Sequence, residues 1–99
     1  MNRVQLGVTA VARADLRYTP AGVAVLALRI AHQGTVAEAG AERALQFELD
    51  AIALGDVAQR LARIDLGARL NLTGFLAPRS RRSQRLVLHI NEFVLDQGV

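Results

Sequence analysis

The 99-residue chain contains no cysteine, no tryptophan and no lysine, and only two prolines. Without cysteine there is no disulfide framework, no thiolate nucleophile and no cysteine-containing zinc site, so the core holds without covalent or thiolate–metal staples. Histidine is limited to His32 and His89. Two histidines in strand-like segments assemble neither a hydrolase triad nor a metal cluster, and no metal or cofactor is expected. The usual hydrolase, dinucleotide and Walker glycine motifs are absent. Glu38 and Glu42 fall in a loop, and Glu48 and Asp50 on a wet strand face, where solvated carboxylates are far commoner than a general acid and base. An enzyme is not expected. No apolar stretch approaches the roughly 18 residues of a membrane helix, and the N-terminus alternates where a leader would run continuously apolar. A soluble cytoplasmic protein without membrane contact is the default.

The chain is 52% hydrophobic and 21% charged, a composition that folds, and its length fits a single domain over residues 1–99. All twelve positive side chains are arginine, and the net charge is +3. So modest an excess permits nucleic-acid binding, and the placement of the arginines has to decide.

Val4, Leu6, Val8 and Ala10 alternate with polar neighbours as a strand wet on one face, in which Gly7 marks a bulge or tight coiling. Thr19-Pro20-Ala21-Gly22 is a turn, with proline presetting φ and glycine supplying a positive one. A second strand covers Val23 to His32, and Gln33 to Glu42, which has no consistent period, reads as a long, mobile loop. Arg43 to Leu54 alternates again as a third strand, placing Phe47 with Leu45 and Leu49 on the core parity. Asp56 then caps a short helix whose stripe is Val57, Leu61 and Ile64, and Gly67 follows its end. A fourth strand contains Leu70, Leu72, Gly74 and Leu76, and a fifth Leu86, Leu88, Ile90 and Val94. The pattern is all-β: a five-stranded OB-fold barrel with one short helix between strands 3 and 4. An SH3-like barrel lacks such a helix, and a ferredoxin-like fold needs two longer ones.

Residues 1–50 hold five arginines and five acids, whereas residues 51–99 hold seven arginines and four acids, which supplies the whole excess. Arg79, Arg81, Arg82 and Arg85 lie within seven acid-free residues between the last two strands. In an OB-fold that loop and the first one flank the oligonucleotide groove, and guanidinium forks both hold phosphate oxygens and stack on bases. Charge alone supports a solvated hairpin tip equally well. Aromatic residues are 4% of the chain. Tyr18 beside Arg17, and Phe75 on the polar parity of its strand, are the candidate stacking platforms. Phe75 is open to a second role, covering a dimer contact or the helix. Phe47 is expected in the core, and Phe93 suits core or a partner surface.

Thr19-Pro20-Ala21-Gly22, Ile30-Ala31-His32 leading to Glu38-Ala39-Gly40, Gly74-Phe75-Leu76 and Leu86-Val87-Leu88-His89 occur in the order and near-spacing of one family. The chain resembles the primosomal replication protein N (PriB) family, relatives of bacterial single-stranded-DNA-binding protein, over nearly its whole length. The resemblance implies a homodimeric OB-fold protein that binds single-stranded DNA in replication restart. The partners it implies are the primosomal helicase and a further primosome assembly factor. The family's basic loop matches Arg79, Arg81, Arg82 and Arg85, and its basic position before the first turn matches Arg17. Departures point to weaker, charge-dominated binding. The loop is shorter, the family's aromatic pair is Ala41 and Gln46 here, and the basic residue after the histidine is Gln33. The competing expectation is a protein-interaction module whose DNA affinity is incidental.

Overall fold

In the computed structural model, which describes residues 1–96, the inward parities of the alternating segments meet in one core. The elements in chain order are β1 Val4–Arg13, β2 Arg17–Tyr18, β3 Ala24–Glu38, β4 Ala41–Leu54, α1 Asp56–Leu61, β5 Arg69–Pro78 and β6 Leu86–Leu95. The five long strands are those expected from the alternation, and α1 lies between the third and fourth of them. β2 is a two-residue addition on the first loop, paired with Ala24 and Val25. The strand order is β1-β5-β6-β4-β3-β2, and a further pairing of β1 with β3 closes the sheet into a barrel. One strand serves two partners because β1 leaves β5 at Thr9 and bulges between Ala10 and Ala12 as it takes up β3. Gly7 is no bulge: it pairs in register with Asn71.

Leu26, Ile30, Leu70, Leu72 and Leu88 are fully buried, and no polar residue is buried among those described. Each large aliphatic side chain withdrawn from water contributes about 1.5–3 kcal/mol, so these inward rows dominate the stability. Helix α1 lies against the barrel through buried Ala58 and Leu61, with Val57 and Ile64 partly buried at its edge. Asp56 is not its cap. Gly55 takes that position at φ 75° with no side-chain cap, because the backbone leaving β4 must turn through the left-handed region while Gly55 N–H donates to Ala24 O at 2.8 Å. At the far end the Arg13 guanidinium donates to the carbonyls of Leu61 and Ile64, where helix carbonyls lack intrahelical donors and a cation is favoured. Arg60 links the helix to β6. It pairs with Asp56 at 2.9 Å and Glu92 at 3.1 Å and lies 5.2 Å over the ring of Phe93. Phe93 therefore packs against the core under the helix. The Phe93 N–H, and after it Arg60, hold the Glu92 carboxyl below its ordinary range.

The segment expected as a mobile loop is strand. β3 and β4 pair without a break from Val25–Leu54 to Glu38–Ala41. Because β1 covers β3 only as far as Ala31 and β6 reaches β4 only at Ala51, residues 32–50 form a two-stranded ribbon beyond the barrel. A ribbon wet on both sides has no buried face to impose a period, which is why this stretch has none. Its turn is Ala39-Gly40, both at positive φ, 53° and 79°, as a two-residue type I′ hairpin turn requires. Phe47 keeps the core parity but lies past the end of the barrel, 41% exposed, with its ring 5.2 Å from that of His32. It is not a core residue.

Two substitutions test this backbone. Ala39 holds a left-handed conformation that costs a residue with a Cβ about 1–2 kcal/mol and that asparagine adopts more readily. Ala39→Asn should raise stability by about 0.5–1 kcal/mol in urea unfolding. Gly74 sits opposite the β6 bulge at Asn91, where an added Cβ would fall 1.9 Å from His89 O. Gly74→Ala should lower stability by about 1–3 kcal/mol, the range for forcing an extra carbon into packed structure.

Candidate nucleic-acid interface

Cross-strand register builds a groove on the outside of the barrel. Ala27 pairs with Ile52, Ile52 with His89, and His89 with Phe75, so four outward side chains on four strands form one row. Parallel to it, Arg29 of β3 faces Asp50 of β4. Above this floor opens a groove of about 520 Å³, walled by Ala12, Arg13 and Ala14 where β1 ends, by Arg17 of the first loop, and by Arg79 and Val87 at the base of the last hairpin. The first loop reaches it because Gly22, at φ 84°, closes the turn that begins at Thr19, with Gly22 N–H donating to Thr19 O at 2.8 Å.

Arg17 and Arg79, far apart in sequence, meet on this groove. Arg85 faces Arg79 across the hairpin neck, where Arg79 N–H donates to Arg85 O at 2.8 Å, and Arg81 and Arg82 are exposed toward its tip. No acid pairs with any of these four loop arginines among the described residues, whereas Arg29, Arg43 and Arg60 are all paired. Tyr18 is 56% exposed but does not line the groove; alternation on β2 sends it to the opposite side from Arg17. Phe75 is half-buried and reaches the groove only through His89, on which it stacks at 4.9 Å with 14° between the rings.

Three groove residues carry no signal in the single sequence. Arg29 donates to Glu48 at 2.8 Å and to Asp50 at 2.6 Å, all three side chains being part-exposed. These bonds raise the Arg29 pKa above its ordinary value. The floor of the groove thus carries a cation already matched by two carboxylates. His89 and Ile52 enter through strand register. Positions Gln33 and Gln46 pair with each other and line a separate cleft of about 360 Å³ with His32 and Arg69, while Ala41 sits at the ribbon turn opposite Glu38. His32 Nδ1 lies 2.7 Å from Gly7 O, a structural tie between β3 and β1. No cluster of three or more metal-ligating side chains occurs among the described residues.

A family model described as "another single-strand binding protein family" matches residues 2–92. The Replication restart protein PriB of Nitrosomonas europaea is 37% identical over 91 residues, which covers 92% of this chain and 84% of that one. Its counterpart in Bordetella pertussis is 37% identical over 92 residues, covering 93% and 86%. The chain belongs to the PriB replication restart family. A crystal structure of the PriB protein from Ralstonia solanacearum superposes with a TM-score of 0.88 at 38% identity, covering 97% of this chain and 98% of that one. The single-stranded DNA binding protein from Thermus aquaticus matches with a TM-score of 0.77 at 27% identity, over 99% of this chain and 51% of that protein. The family's barrel is therefore the OB-fold expected from alternation and helix placement. No helix among the described residues is long and apolar enough to cross a membrane.

Proposed function

We propose that this PriB-family chain is a cytoplasmic, non-enzymatic accessory protein of the replication-restart primosome. It binds single-stranded DNA across the groove and along the Arg79–Arg85 hairpin, as a homodimer, and works with the primosomal helicase and a further assembly factor. The observation that carries the reading is the convergence of Arg17 and Arg79 on one groove, continued by three loop arginines that no acid neutralises among the described residues. A phosphate backbone entering at Arg17 would leave along the hairpin, with each guanidinium gripping phosphate oxygens in its planar fork. Of the two aromatic candidates, Tyr18 stands on the far side of β2 and Phe75 behind His89, so neither lines this path directly. The second reading, a protein-interaction module, draws on the apolar side of the ribbon, where Leu45, Phe47 and Val36 extend past the barrel and Phe47 and Val36 are exposed. Labelled single-stranded oligonucleotide, titrated with duplex as competitor, separates the two: preference for the single strand favours the DNA reading, and no measurable binding the module.

If about four phosphates are neutralised, log K against log salt should slope by about −3 for a single strand. Replacing Arg79, Arg81, Arg82 and Arg85 with alanine should flatten it; a slope unchanged by that replacement contradicts the loop's role. Glu48→Gln together with Asp50→Asn leaves the Arg29 charge unmatched and should raise affinity and steepen the slope by about one phosphate equivalent, read from the same titrations. The ribbon's open edges and exposed apolar side invite cover by a second copy across a two-fold axis. Sedimentation equilibrium at micromolar concentration should give the dimer mass, and the monomer mass contradicts the assembly.

A further inference from the structure

We infer that His89 is the stacking platform of the groove, and that one nucleobase of a bound single strand stacks on its imidazole face over the row formed with Ala27 and Ile52. This rests on the single-stranded DNA reading above and assigns the base-contacting residue within it.

Three features of His89 single it out. It lines the groove while Phe75, against which it stacks in near-parallel fashion, does not. Phe75 takes one face of the ring, and the side away from it, toward Ile52 and Ala27, lines the groove, so a base lying over those two residues would extend the existing pair into a third layer. Its nitrogens are also uncommitted. The His32 ring is tied to Gly7 O at 2.7 Å, whereas the His89 ring makes no hydrogen bond to any described residue, though it is only half-buried and flanked by strands. The ring orientation is instead set by packing and backbone. Gly74 lets β5 approach so closely that a Cβ would strike His89 O, which draws Phe75 onto the imidazole. Such a ring is held without being consumed by a structural bond.

The surroundings select a nucleotide as occupant. Ile52 and Ala27 give the floor an apolar surface next to the imidazole, suited to a base and not to a phosphate. Arg17 and Arg79 stand at the rim, placed for the phosphates on either side of that base. About 520 Å³ of open space falls within the roughly 300–1,000 Å³ of small-ligand pockets. The alternative platforms are worse placed: Tyr18 lies outside the groove, and Phe47 lies on the ribbon beyond the barrel, against His32.

The test compares an oligothymidylate with an abasic deoxyribose-phosphate chain of the same length, at low salt, on the full-length protein. Wild type should bind the oligothymidylate at least about tenfold more tightly, the scale of one lost base stack. His89→Ala should lose most of that preference while keeping its affinity for the abasic chain, and His89→Phe should retain the preference. The second variant guards against loss of the Phe75 stack disturbing the fold, since phenylalanine preserves it. Equal binding of both chains by wild type, or a preference undiminished in His89→Ala, overturns the assignment and leaves the DNA reading standing. Failure of wild type to bind either chain overturns both.

Discussion

Everything in this molecule depends on β1 pairing with two strands at once. Without the switch from β5 to β3 at the Ala10–Ala12 bulge, the sheet would stay open, and the inward rows of β1, β3 and β5 would face water in place of one another. Closure buries Val8 and Ala10 against Leu28, Ile30, Leu70 and Leu72, and it also ends β1 where the groove wall begins. The apolar interior and the groove are thus two sides of one hydrogen-bonding constraint. Gly74 plays the matching part on the other wall, since only a residue without a side chain admits the β5–β6 approach that fixes Phe75 and His89.

The barrel was legible because each of its strands buries one face, and a buried face writes a period of two into the sequence. Leu26, Leu28 and Ile30 lie inward as their spacing requires. The ribbon was not legible for the same reason turned around: Gln33 to Glu42 pairs on both sides of its Ala39-Gly40 turn but is sheltered on neither face, so nothing forces alternation. Phe47 shows how far parity reaches. Its side of the strand is right, but the residue at which the barrel stops covering that side is a tertiary fact. The Asp56 cap failed because a glycine backbone conformation did the work assigned to a side chain.

The candidate site divides along similar lines. An acid-free run of arginines is local in sequence and could be found there, and so could a basic residue ahead of the Pro-Gly turn. Groove membership could not. It depends on which residue of β4 faces which of β6 across a short parallel pairing, and one sequence contains no register between strands that far apart. Arg29 makes the point in charge. Read along the chain it is one more arginine in a neutral half; in the fold it is a groove cation matched by Glu48 and Asp50. The free positive charge accordingly sits at the rim and hairpin, and the floor offers a ring and aliphatic carbon.

The central claim is that one outer face, spanning β3, β4 and β6 between the first loop and the last hairpin, receives the single strand. Backbone amide shifts recorded while an oligothymidylate is added test it most directly. The account predicts changes concentrated at Arg17, Arg29, Ile52, His89 and Arg79 and continuing through Arg82. Changes centred instead on His32, Leu45 and Phe47, or on the cleft containing Gln33, Gln46 and Arg69, would contradict it.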